Sequence, residues 1–180
     1  KMEAREKLQE AESAPAGQAK REAYQAAIAK AKEVIAEEPS GENKQFYAEV
    51  LTTIDAKVPA VAKADILPDG GRTVSLAWRD AEKTYAVEGN ANQAQTAREL
   101  RVASIASNEF SRGQQVIRDY IAQTEKAQPE VQEQAGEVRA DQLLAKAEKH
   151  FDNAARLTPQ YLDAQVNVAA INRVRATKGM

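Results

Sequence analysis

The sequence of 180 residues has no cysteine, a single histidine and few aromatic residues, which make up 5% of the chain. Without cysteine, the chain has neither a disulfide framework nor a thiolate metal site. Sparse aromatic and β-branched residues disfavour a large β-sheet, whereas the plentiful alanine, glutamate, glutamine, lysine and arginine are good helix formers. The composition therefore predicts an all-α protein with a thin core lined by alanine.

An excess of charge of one sign is also absent. The chain carries 25 basic and 27 acidic residues, a net charge of −2, and residues of both signs are interspersed along the sequence. No basic block suggests nucleic acid, and no apolar run reaches the length of a membrane span. We therefore expect neither a nucleic-acid partner nor a membrane-spanning helix.

The motifs of common enzymes are missing as well. There is no H-E-x-x-H, no G-x-S-x-G and no phosphate-binding glycine loop. His150 has no glutamate three or four positions away, so we interpret it as a surface or rim residue beside Phe151. The sequence predicts no catalytic residue, no cofactor and no metal site.

Apolar residues recur with the helical period along nearly the whole chain, and short turns separate them. This pattern predicts about eight or nine helices in one domain, residues 1–180, with a loop-rich break near 59–73. We expect Ser111, Arg112 and Gly113 to end one helix, Pro129 to end the next, and another boundary after Asp141.

Two stretches carry a more specific pattern. The first places Ala147, Phe151 and Ala154 on one helical face, and Pro159 then stops the helix. The small residues let a neighbouring helix approach and the ring fills the gap between them. This order resembles the second half of a tetratricopeptide (TPR) repeat.

The second stretch is similar to the first half of the same repeat. Its matching residues are Trp78, Ala81, Tyr85, the turn residue Gly89, and Ala94. It departs from the pattern at Glu82, which stands where the family prefers glycine for tight contact between helices.

The resemblance implies antiparallel helix hairpins stacked as a right-handed superhelix that binds a peptide or a partner helix in its groove. An irregular helical bundle is the alternative fold. The residues that the resemblance places on the binding side are Arg79, Asp80, Lys83, Asp163, Asn167 and Arg173. Asn167 matches a site where the family often holds a ligand backbone, although a residue that only stabilises its own helix fits it too.

The resemblance thus predicts a non-catalytic scaffold or adaptor whose partner is another protein or peptide. The alternative is a structural helical bundle that self-associates within a larger assembly, so a homo-oligomer remains open. Val166 and Val174 lie off the main apolar stripe of the last helix, and their exposure would mark a docking surface. Localisation stays open, because a bacterial cell-envelope or secreted protein with its targeting segment removed and a cytoplasmic protein fit equally.

Overall fold

The computed structural model describes residues 1–67, 69, 72–126, 133–159 and 161–178. Within these residues the chain forms eight α-helices and no strand, which confirms the predicted all-α class. The helices are α1 (Met2–Ser13), α2 (Gln18–Glu37), α3 (Gly41–Lys57), α4 (Ala60–Ile66), α5 (Arg72–Val87), α6 (Ala91–Lys126), α7 (Glu133–Leu157) and α8 (Leu162–Lys178).

The chain divides into two compact units, and the division falls inside α6. Lys1–Ser104 is the N-terminal unit, and Ile105–Met180 is the C-terminal unit. The predicted break near 59–73 belongs to the N-terminal unit and contains the short helix α4, while residues 68, 70 and 71 lie outside the described part. The prediction of one domain over residues 1–180 stays a prediction.

In the N-terminal unit, α1 packs against α2, α2 against α3, and α3 against α5. Alanines at the contacts let these helices approach closely, as the composition predicts. The fully buried alanines of this core include Ala4, Ala11, Ala31, Ala48 and Ala81. Leu51, Ile54 and Trp78 supply the bulk that fills the remaining space.

The buried face of α5 is the one that the sequence predicts. Trp78, Ala81 and Tyr85 are all buried in the core of the N-terminal unit. The rings of Trp78 and Tyr85 each carry a polar group that needs a hydrogen-bond partner when it is buried. The Trp78 indole Nε1–H donates to Thr52 Oγ1 at 3.0 Å, and the Tyr85 hydroxyl donates to Gln45 Oε1 at 2.6 Å, both on α3. These bonds hold α5 in one orientation on α3.

The turn between α5 and α6 also follows from its residues. Gly89 has a φ of +78°, which confirms the predicted left-handed position after the helix. The Asn90 amide then donates to the Tyr85 carbonyl at 2.9 Å, while Asn90 Oδ1 accepts from the Gln93 amide at 3.3 Å. Asn90 therefore closes one helix and caps the next.

The core of the C-terminal unit is built around Phe151. Ala147, Phe151 and Ala154 have no exposed surface, which confirms their predicted place on the packing face of α7. Phe110 of α6 lies with its ring centroid 5.4 Å from that of Phe151. Helix α7 ends at Leu157, two residues before Pro159, and packs against α8.

The predicted helix break at residues 111–113 is wrong, because α6 runs unbroken through Gly113. This glycine is buried, and a Cβ atom added to it would lie 2.7 Å from a ring carbon of Phe151. The residue therefore makes room for an aromatic ring of another helix, and it does not end its own. A sequence pattern cannot separate these two uses of glycine.

The predicted boundary after Asp141 is also wrong. Helix α7 continues from Glu133 to Leu157, and Ala140 and Leu144 are buried one turn apart across the expected boundary. No glycine or proline lies between Ala140 and Leu157, so the helical hydrogen bonds continue across the expected boundary. The expectation that Pro129 ends a helix lies outside the described residues.

Candidate functional site

The sequence-predicted partner-binding residues fall on two helices, and each unit carries one of the two sets. Arg79, Asp80 and Lys83 on α5 make what we call the α5 surface. All three are exposed, and none forms an ion pair within the described part of the chain. Arg79 and Lys83 lie one turn apart, so two cationic groups point into solvent from adjacent turns. Such a pair can receive a carboxylate or a peptide carbonyl.

The α5 surface borders the position where the sequence departs from the repeat pattern. Glu82 is half-buried, and its Oε2 lies 3.1 Å from Nε of Arg101 on α6. Both atoms are shielded from solvent and make no well-aligned hydrogen bond, although the distance is that of an ion pair. Opposite charges at this distance attract at any angle, whereas a hydrogen bond also needs alignment. An ion pair thus joins α5 and α6 at this position.

The second group lies on α8, in the C-terminal unit. Asp163 and Arg173 are exposed, and Asn167 is partly buried. The Asn167 Nδ2 donates to the Asp163 carbonyl of the same helix at 2.6 Å. That bond engages the amide nitrogen within its own helix and leaves the amide oxygen as the group that could face a ligand.

The outward side of α8 also carries large apolar residues. Leu162 is 67% exposed and Val166 is 65% exposed, whereas Ala164 and Ile171 on the inward side are buried. Val174 is 36% exposed at the edge of the outward side. Val166 and Val174 are thus both exposed, as expected if this side of α8 is a docking surface. We call Leu162, Asp163, Val166, Asn167 and Arg173 together the α8 surface.

A polar group that sequence reasoning missed lies between α6 and α7. His150 Nδ1 is 2.9 Å from Glu109 Oε2, and Asn153 Nδ2 donates to the same oxygen at 3.3 Å. Arg112 approaches the other oxygen of Glu109 at 3.6 Å. The His150 side chain is 18% exposed, which is compatible with the expected rim position, but the sequence did not predict that its ring pairs with Glu109 across helices.

The chemistry of this pair follows from its charges. Burial alone would raise the pKa of Glu109, but hydrogen bonds from His150 and Asn153 and the nearby charge of Arg112 outweigh burial and lower that pKa. An ionised carboxylate only accepts hydrogen bonds, so Nδ1 of His150 carries the proton. In neutral His150, Nε2 is then the basic nitrogen. No serine, threonine or lysine side chain bonds to it among the described residues.

The charge of Glu109 gives a pH-dependent prediction. We expect Glu109→Gln to lower the free energy of unfolding by about 1–2 kcal/mol at neutral pH, since hydrogen bonds to charged groups are worth about 1.5–3 kcal/mol. The folded-state pKa is lowered, so this stabilisation is present above the unfolded pKa of about 4.3 and disappears as pH falls through the folded value. Urea unfolding at several pH values measures the effect.

The control for this series is Glu125→Gln, which changes an exposed carboxylate on the same helix. We expect it to alter the free energy of unfolding little at any pH, because exposed charges contribute little to stability. A Glu109→Gln effect of constant size down to strongly acidic pH would contradict the ionic role of Glu109.

The described part of the chain contains no group of three or more histidine or acidic side chains arranged to hold a metal ion. None of its helices is long and apolar enough to cross a membrane.

Comparison with known proteins gives no match. No protein-family model, no curated protein and no solved structure matches this chain. The resemblance to TPR repeats therefore rests on the residues themselves, namely the buried faces of α5 and α7.

Proposed function

We propose that this chain is a non-catalytic protein-interaction scaffold of TPR type that binds a peptide or a partner helix. The observation that carries the proposal is that α8 is apolar on two opposite sides. Ala164 and Ile171 pack inward, while Leu162 and Val166 remain in solvent. A helix with apolar residues on both sides is typical of one that lies between two layers. A partner is the natural second layer here.

The TPR-like superhelix is part of the same proposal. In such an array each hairpin packs against the next one, and the last helix needs either a polar outer side or a partner. Helix α7 carries the second-half pattern, so α8 stands where the next hairpin would begin. Its outward apolar residues are then the side on which a further layer of the array would stack.

The polar residues on both surfaces support binding of an extended chain or a helix. Arg79 and Lys83 offer cationic donors on α5. Arg173 offers another on α8, two turns from Val166 on the same side of the helix. A mixed apolar and cationic surface can bury side chains of a partner and pair with its carboxylates. A structural, self-associating bundle is the alternative function, and the same exposed stripe on α8 favours it.

Charge reversal tests this function. We expect Arg79→Glu with Lys83→Glu, or Arg173→Glu alone, to weaken capture of partner proteins from a lysate of the source cells. The melting temperature should stay nearly unchanged, because exposed charges contribute little to stability. Quantitative affinity capture with the purified chain, followed by thermal melting of each variant, measures both effects.

Arg98→Glu is the matched control, because Arg98 is exposed on α6, outside both surfaces, and forms no ion pair within the described residues. It should capture partners as the wild type does. The scaffold function fails if the surface variants capture the same proteins in the same amounts as this control. Turnover of a substrate that depends on Glu109 and His150 would replace it with an enzymatic function.

A further inference from the structure

We propose that the α8 surface binds the same surface of a second copy of this chain, with the two helices antiparallel. This inference deepens the proposed function, on which it rests, by naming the partner of that surface. It follows from the spacing of the exposed residues of α8 and from the position of its charges.

Four of the exposed residues of α8 follow the spacing of a coiled-coil seam. Leu162, Val166, Ala169 and Arg173 are separated by four, three and four positions, and all four are exposed. This alternation is the heptad pattern that keeps one side of a helix facing a partner helix. The opposite side of α8, with Ala164 and Ile171, already packs in the core of the C-terminal unit. The seam is therefore a second apolar side with no covering helix in the described part of the chain.

An antiparallel pair gives these residues a consistent register. When Val166 lies against Ala169 of the partner subunit, Leu162 lies against Arg173 of the partner subunit in the next layer. The two-fold axis repeats both contacts. The small Ala169 lets the helix axes approach, and the methylene groups of Arg173 can cover Leu162 while the guanidinium stays in water.

The charges of α8 favour an antiparallel orientation of the two paired helices. Asp163 lies in the first turn and Arg173 near the other end, and neither forms an ion pair among the described residues. An antiparallel pair brings Asp163 beside Arg173 of the partner subunit at both ends of the seam. A parallel pair would place Asp163 beside Asp163 and Arg173 beside Arg173, and like charges repel. The α8 surface is thus complementary in charge to an inverted copy of itself.

The contact is small. One helix face per subunit buries less than the total of about 1,600 Å² typical of stable complexes. We therefore expect weak and reversible dimerisation that depends on protein concentration.

Sedimentation velocity over a concentration series tests the pairing. We expect a monomer–dimer equilibrium for the wild-type chain, and a dissociation constant at least about tenfold higher for Val166→Glu, because a buried charge faces Ala169 of the partner subunit. Val138→Glu is the matched control, since Val138 is a 58%-exposed valine on α7 of the same unit. It should dimerise as the wild type does.

A charge swap tests the antiparallel register. Asp163→Arg or Arg173→Asp alone should raise the dissociation constant about threefold to tenfold, because each brings like charges together at both ends. The double variant, D163R with R173D, should have a lower dissociation constant than either single variant, because the opposite charges meet again, although it lacks the methylene groups that cover Leu162. Circular dichroism should show the same helicity for all three variants, because both residues are exposed.

The outcomes separate this inference from the proposed function. A wild-type chain that stays monomeric at the highest attainable concentration overturns self-pairing, as does a double swap that remains as weak as the single variants. Val166-dependent capture of a different protein by that monomeric chain would leave the scaffold function standing. A dimer that behaves as expected, with no other protein captured, would support self-pairing and identify α8 of a second copy as the partner helix of the α8 surface.

Discussion

Phe151→Ala is expected to lower the free energy of unfolding of the C-terminal unit by about 3–5 kcal/mol, the range for removing a buried aromatic side chain. The Phe151 side chain is fully buried between Ala147 and Ala154. Ala147, Ala154 and Gly113 are too small to fill the space that the ring leaves. Urea unfolding followed by circular dichroism measures the loss. An unfolding curve that matches the wild type would contradict the packing of α7 described above.

A substitution at Gly113 tests the packing of the Phe151 ring more specifically. Gly113→Ala should stabilise an exposed helix by about 1 kcal/mol, because alanine favours the helix. In this chain it should instead destabilise by about 1–2 kcal/mol, because the new Cβ would lie 2.7 Å from the Phe151 ring and overpack the core. In the Phe151→Ala background the ring is gone, and the same change should become neutral or stabilising.

The double-mutant cycle therefore predicts a change of sign. If Gly113→Ala has the same effect with and without the Phe151 ring, the close approach of α6 and α7 at this point is wrong. A stabilising effect in the wild-type background would mean that Gly113 is only a weak point of an exposed helix.

Trp78→Ala is expected to have a similarly large effect on the N-terminal unit, also about 3–5 kcal/mol. The Trp78 side chain is buried against α3, and its Nε1–H donates to Thr52 Oγ1 at 3.0 Å. The substitution removes the ring and leaves the Thr52 oxygen without this donor. Thermal and urea unfolding measure the change, and the loss of tryptophan fluorescence makes circular dichroism the suitable probe.

Thr52→Val separates the two contributions of Trp78. It removes the acceptor of the indole hydrogen bond, together with the bond that the Thr52 hydroxyl donates to the Ala48 carbonyl, and it retains the packing of the ring. It should therefore cost about 1–3 kcal/mol, the range for leaving a buried donor unsatisfied. If Trp78→Ala costs no more than Thr52→Val, burial of the indole contributes nothing, and α5 does not pack on α3 as described.

The sequence predicts some residues of the candidate sites and misses others. The resemblance to TPR repeats implies that Arg79, Asp80 and Lys83 lie on the binding side of α5, and all three are exposed. The pairing of Glu109 with His150 could not be predicted, because 41 residues separate them. The helical spacing rule covers only neighbours three or four positions apart, whereas this contact depends on how α6 and α7 pack.

The sequence by itself determined the helical class, the buried faces of α5 and α7, and the turn at Gly89. These features depend on residues within one or two helical turns, so the period of apolar residues and the special backbone freedom of glycine are sufficient to predict them. Only the tertiary structure decided that Gly113 continues a helix, that Glu109 reaches His150, and that α8 keeps a second apolar side in solvent. Each of these depends on what a distant helix places opposite the residue, and no local pattern contains that information.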